Sequence, residues 1–258
     1  MTAVALRPLS IGEMLDTSFQ LYRRHFGALA TIVLVCNTLP LALNVYVESA
    51  GGFAAHPFLA LSGGLLGFVL NAVATGATVF VVSEGYLGRV VTAGDALNRA
   101  TPFVARLILA SIMYSFLVLI GFLLFIVPGI VVAVGLALYA PALVVEAVPR
   151  AGAALSRSWQ LTKGARWRLM GVFIALALLL ALPMMAMAFL VGAAAAVAGL
   201  GDTEGSAGVA ALAAAFAGLV QLLWYPMFNC AMTVAYYDQR VRREGFDLEL
   251  LAAGLRAA

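Results

Sequence analysis

Charge is scarce in this sequence. Its 258 residues include 15 Lys and Arg and 12 Asp and Glu, so about a tenth of the chain is charged. A water-soluble domain carries roughly a quarter. That leaves too little polar surface to cover a body in water, and the composition points to an integral membrane protein. Cysteine is almost absent. Cys36 and Cys230 both fall in apolar runs without CxxC or Cys/His spacing, so they read as small core residues rather than a disulfide or a metal site. The only histidines are His25 and His56. No Gly-rich phosphate loop, zinc motif or nucleophile elbow appears, and the residues imply no cofactor. The net charge of +3 does not suggest nucleic acid, because the arginines flank apolar runs and so mark a membrane face.

What the chain does have is long apolar runs. A helix needs about 20 mainly apolar residues to cross a bilayer. Six runs qualify: 27–47, 58–82, 104–127, 129–147, 167–196 and 208–235. Val127-Pro128-Gly129 is expected to form a tight hairpin between the third and fourth, and Pro40, Pro141, Pro183 and Pro226 are expected to kink their spans. No small-residue cleavage site follows the first run, so no signal peptide is expected. Segments 1–26, 83–107, 148–168 and 236–258 hold all 15 Lys and Arg, whereas 48–57, 127–130 and 197–207 hold none. By the positive-inside rule both termini are cytoplasmic, in a multi-pass protein of the cell (inner) membrane.

The basic side carries a repeat. Gly12-x-x-Leu15-x-x-Ser18-Phe19-Gln20-Leu21 matches Gly152-x-x-Leu155-x-x-Ser158-Trp159-Gln160-Leu161, with a degraded copy at Gly94-x-x-Leu97-x-x-Ala100. Ser10 with Glu13, and Thr92 with Asp95, have capping-box spacing; Pro149 is expected in the first turn of the third copy. Leu15, Ser18, Phe19 and Tyr22 share one helical face, as do Leu155, Ser158, Trp159 and Thr162, with charges opposite. This predicts interfacial amphipathic helices, the first over 10–25. Glu84, Glu146 and Asp238 each close an even-numbered run, with Arg89, Arg150 and Arg240 soon after. The expected fold is a single all-α domain over 1–258. It is a polytopic bundle of six transmembrane helices with a threefold pseudo-repeat and a cytoplasmic tail over 236–258, including a short amphipathic helix from Phe246 to Leu255.

Three segments together, "RPLSIGEMLDTSFQLYRRHFGAL", "APALVVEAVPRAGAALSRSWQLTKGARWRLMG" and "AYYDQRVRREGFDLELL", resemble the bacterial membrane domain attached to some glycerophosphodiester phosphodiesterases. The resemblance implies about six spans and no activity of the domain's own. In the fused proteins a separate barrel performs the hydrolysis with metal and histidine chemistry. Such a barrel needs roughly 250 residues, and six spans leave no room for it here.

Candidate sites gather at the inner boundary of the spans. Glu146 is costly there unless paired, and Arg106, Arg166 and Arg168 are its candidate partners. Glu84 and Asp238 carry the same expectation of ion pairs tying inner ends together. Arg23, Arg24, Arg166, Arg168, Arg240, Arg242 and Arg243 lie near span ends and are candidates for anionic lipid phosphates. Trp159, Trp167, Tyr236 and Tyr237 are candidate interface anchors. Within the spans Asn37, Asn71, Thr75, Thr78, Ser111, Ser115, Gln221 and Asn229 are expected to bond between helices. No ionisable side chain sits at mid-depth, which weighs against an ion-coupled carrier.

Three functions follow. The first is a non-enzymatic scaffold or accessory protein binding anionic membrane lipids, a protein partner or a second copy of itself. The second is a channel, permease or lipid-transport protein, favoured by a polar cavity past Asn37, Asn71 or Gln221 and opposed by a dry bundle. The third is an intramembrane enzyme, with Glu84, Glu146 and Asp238 gathered around a divalent metal.

Overall fold

The computed structural model describes residues 7–197 and 203–245, and every regular element among them is helical. The predicted helix from Phe246 to Leu255 lies outside the described residues. The chain runs α1 (Ile11–Arg24), α2 (Phe26–Ser49), a short α3 (Gly52–Ala55), α4 (Pro57–Tyr86) and α5 (Ala93–Ala100). A 3-10 turn (Thr101–Phe103) leads into α6 (Val104–Leu124), then α7 (Ile126–Leu136), α8 (Tyr139–Val145), α9 (Ala151–Thr162), α10 (Arg166–Val197) and α11 (Thr203–Glu244). Six stretches are long and apolar enough to cross a bilayer: Phe26–Ser49, Pro57–Tyr86, Ala93–Leu124, Ile126–Val145, Arg166–Leu190 and Ala215–Glu244. The protein is an all-α, multi-pass membrane helix bundle.

Local chemistry sets the boundaries. Ser10 and Glu13 cap α1 reciprocally: the Glu13 amide donates to Ser10 Oγ at 3.3 Å and the Ser10 amide to Glu13 Oε2 at 2.7 Å. That amide, then the Ser10 hydroxyl and Arg7, hold the Glu13 carboxyl down at about 2. Thr92 caps α5 by accepting from the Asp95 amide at 3.2 Å. The α6–α7 hairpin differs from expectation. The chain turns at Phe125, in extended backbone, and Pro128 lies inside the first turn of α7, where its missing N–H costs nothing. Gly121 and Gly129 make the turn possible, since a Cβ on Gly121 would meet Gly129 Cα at 2.9 Å.

The fourth span is interrupted rather than kinked. Pro141 has no N–H for the Ala137 carbonyl, and the helix breaks at Ala137 and Leu138. Two hydroxyls from α9 repair the gap. The Leu138 amide donates to Ser158 Oγ at 3.0 Å; Ser158 Oγ and Thr162 Oγ1 donate to the Gly135 carbonyl at 3.0 and 2.9 Å.

This accounts for the third repeat copy and corrects its predicted placement. Leu155, Ser158 and Thr162 are buried against protein, and only Trp159 is part exposed, at 36%. The α9 helix begins at Ala151, so Pro149 precedes it. In α1 the buried face is Met14, Ser18 and Leu21, and Phe19 is exposed. The α11 helix runs on to Glu244, which shortens the predicted tail. Tyr236 and Tyr237 are fully buried, not interface anchors; Tyr237 stacks on Tyr86 with ring centroids 4.8 Å apart. Trp167, by contrast, is 85% exposed.

Candidate functional site

The predicted charged residues assemble into separate clusters at the basic end of the bundle. In the first, Asp238 is wholly buried. Its carboxylate accepts from the Leu9 amide at 2.8 Å, from Arg242 Nε at 3.2 Å to each oxygen, from Gln239 Nε2 at 3.1 Å and from Arg168 Nη2. Arg242 Nη2 also donates to the Leu9 carbonyl at 2.8 Å. A buried carboxylate is tolerable only with such a full set of donors.

Glu146 anchors the second cluster, with a partner that differs from expectation. Arg157 Nε donates to both Glu146 oxygens at 2.9 and 2.8 Å, Arg157 Nη2 to Oε1 at 2.8 Å, and the Tyr236 hydroxyl to Oε1 at 2.8 Å. Arg157 also pairs with Glu244 at 2.5 Å. Bonds to Glu146 and then Glu244 push the Arg157 guanidinium further toward its charged form. Arg240 Nε is 3.1 Å from Glu244 and 4.0 Å from Glu146. Arg168 belongs to Asp238 instead, and Arg106 donates to the Val148 and Pro102 carbonyls at 3.0 and 3.1 Å. Arg166 lies over the Trp159 ring at 3.7 Å. Glu84 pairs with Arg89 at 3.2 Å and more distantly with Arg99 at 3.9 Å. The three repeated acids therefore hold separate sets of arginines, and no group of three or more His, Cys, Asp or Glu among the described residues could hold a metal.

The opposite half contains a cavity of about 520 Å³ between α2, α4 and α11, within the roughly 300–1,000 Å³ typical of ligand sites. Asn37, Asn44, Asn71, Gln221 and Tyr225 supply its polar lining, and it extends to Glu48 and Phe53 at the turn between α2 and α4. Glycines border the space: a Cβ on Gly64 would meet nothing within 4 Å, and one on Gly63 or Gly67 would make only ordinary contact with Leu43 or Pro40 of α2. Pro226 offers no N–H to the carbonyl of Leu222, another lining residue.

The amides behave differently from the expected cross-helix bonds. Asn37 Nδ2 donates within its own helix to the Val33 carbonyl at 3.1 Å. Among the described residues, the side chains of Asn44, Asn71 and Gln221 have no hydrogen-bond partner. The cross-helix bonds come from Tyr225, whose hydroxyl contacts Thr75 Oγ1 and donates to the Asn71 carbonyl at 3.0 Å. Tyr225 also separates the cavity from a smaller one of about 210 Å³, lined by Asn71, Thr75, Ser111 and Tyr139.

Asn44, Glu48 and Tyr225 were not foreseen as a site. The glycines at 63, 64 and 67 were the sequence signal beside them. Compared with known proteins, the chain matches no family model, no curated protein and no solved structure.

Proposed function

We propose that this chain is a membrane permease or lipid-transport protein that takes a small, uncharged amphiphile into the cavity between α2, α4 and α11. One observation carries the reading: Asn44, Asn71 and Gln221 present to a single cavity carboxamides with no hydrogen-bond partner among the described residues. An amide facing hydrocarbon without a partner costs several kcal/mol. The cavity therefore holds water or a polar ligand rather than acyl chains alone. Amides and a phenol recognise neutral donors and acceptors, and the aliphatic wall from Val33, Leu41 and Leu43 suits an apolar body. Asn71 lies near the midpoint of the 30-residue α4, the depth at which transporters bind their cargo. The positive-inside asymmetry turns the Glu48 end outward and the arginine clusters to the cytoplasm of a cell-membrane protein. Glu84, Glu146 and Asp238 are committed to arginines, which favours binding and movement over catalysis.

A scaffold role is the second reading, favoured by Arg23, Arg24, Arg150 and Arg243, which stand exposed at the basic end. The resemblance to phosphodiesterase-linked membrane domains suits either role, with a separate soluble enzyme as the partner.

Cysteine accessibility separates the two. In a variant lacking Cys36 and Cys230, Gly64→Cys and Gln221→Cys are treated in intact cells with a membrane-impermeant thiol reagent. The permease reading expects both to react, and a reconstituted protein to release neutral amphiphiles trapped in vesicles. If neither position reacts, the cavity is filled by lipid and the scaffold reading takes its place.

A further inference from the structure

Arg166 is one of the arginines that the clusters leave over. It forms no ion pair among the described residues, and its Nε is buried without a hydrogen-bond partner. Its guanidinium lies 3.7 Å from the centre of the Trp159 ring, and Gly135 leaves room for both: a Cβ there would approach Trp159 at 2.6 Å and Arg166 Nε at 3.5 Å. Trp159 has a second role. It closes one end of an apolar trough of about 430 Å³ bounded by α6, α7 and α9, with Leu117, Ile120, Leu124, Val132 and Leu136 along its walls. Trp167, next to Arg166, is 85% exposed, which suits the headgroup level of a bilayer.

The geometry points to a bound phospholipid with a net anionic headgroup, one acyl chain lying in the trough and its phosphate on Arg166. The trough supplies continuous aliphatic wall from the α6–α7 hairpin to α9. Beside its α9 end, against the face of the lining residue Trp159, stands the part-buried guanidinium of Arg166, held flat by the indole. A guanidinium is the side chain best matched to phosphate oxygens, and stacking fixes its plane before the ligand arrives. The α10 helix begins at Arg166, so the positive end of its dipole adds to the same place. Lys163 is exposed three residues earlier and favours a headgroup with negative charge over a zwitterionic one. This site is independent of the cavity between α2, α4 and α11.

Trp159 is a built-in reporter. In the full chain with Trp167→Phe and Trp224→Phe, only Trp159 fluoresces. The protein is titrated in detergent with phosphatidylglycerol or phosphatidylcholine bearing brominated acyl chains. The expected result is saturable quenching with about fivefold tighter binding of phosphatidylglycerol, lost in Arg166→Gln and kept in Arg23→Gln. Equal binding of the two lipids by the unsubstituted site overturns the proposal on its own, even if Arg166→Gln fails to fold. So does a preference that survives Arg166→Gln.

Discussion

The two halves of this bundle handle polarity in opposite ways. At the basic end the buried carboxylates are fully tied into ion pairs and hydrogen bonds, although His25 Nε2, Tyr86 Oη, Arg166 Nε and Arg168 Nε are buried there without a partner among the described residues. Asp238 is fully buried with four donors around it, Glu146 has Arg157 and Tyr236, and the Ser83 and Tyr237 hydroxyls meet at 2.5 Å. At the other end Asn44 and Gln221, both exposed, and the half-buried Asn71 line a cavity with no side-chain hydrogen-bond partner among the described residues. Packing follows the same division. Tyr86, Tyr236 and Tyr237 fill the basic end, whereas glycines line the cavity. Polarity inside a membrane protein thus serves fastening where it is satisfied and recognition where it is left open.

That division is open to attack, most forcefully at Asp238. Asp238→Asn leaves Arg168 and Arg242 without their counter-charge, and a loss of about 3 kcal/mol or more is expected, read as a fall in the unfolding midpoint in detergent. Glu146→Gln removes the counter-charge and one of the two acceptor oxygens of a bidentate arginine, and about 2 kcal/mol should go with it in the same assay. Ser158→Ala strands the Leu138 amide at the break between α7 and α8, with an expected cost of about 1–2 kcal/mol. The cavity half should respond differently. Gly64→Leu enters open space in a helix, so stability should hold within about 1 kcal/mol while thiol labelling of Gln221→Cys is blocked. A large loss of stability there would erase the contrast.

The smallest expected effect is one of pH. Burial, with Arg24 adding to it, lowers the pKa of His25 below its usual 6.5. The unfolded chain then binds a proton more readily than the fold, so stability is greatest above pH 6.5 and falls as the pH drops below it. The unfolding midpoint should be lower at pH 5.5 than at pH 7.5, and His25→Gln should flatten the difference.

The spans were legible because their cause is linear: some twenty consecutive apolar residues leave few alternatives. The cap at Ser10 was legible for the same reason, being a contact between neighbours in sequence. Partners were not. Arg157 reads as a solvent-facing residue of an amphipathic helix, yet α9 packs on α8 and brings it to Glu146. Arg150, nearer in sequence, is exposed. The helix break was half visible, since Pro141 announced a lost hydrogen bond without revealing that Ser158 and Thr162 would compensate for it. The cavity was least visible. A carboxamide in an apolar run looks the same whether it meets a neighbouring helix or empty space, and only packing decides which.

The Asp238 knot has a consequence for biogenesis. Leu9 bonds to Asp238 and Arg242, partners 229 and 233 positions further along the chain. A ribosome must deliver the last helix before the first can be tied down, so any truncated product leaves Arg168 and the amino-terminal strap unclaimed at the membrane surface.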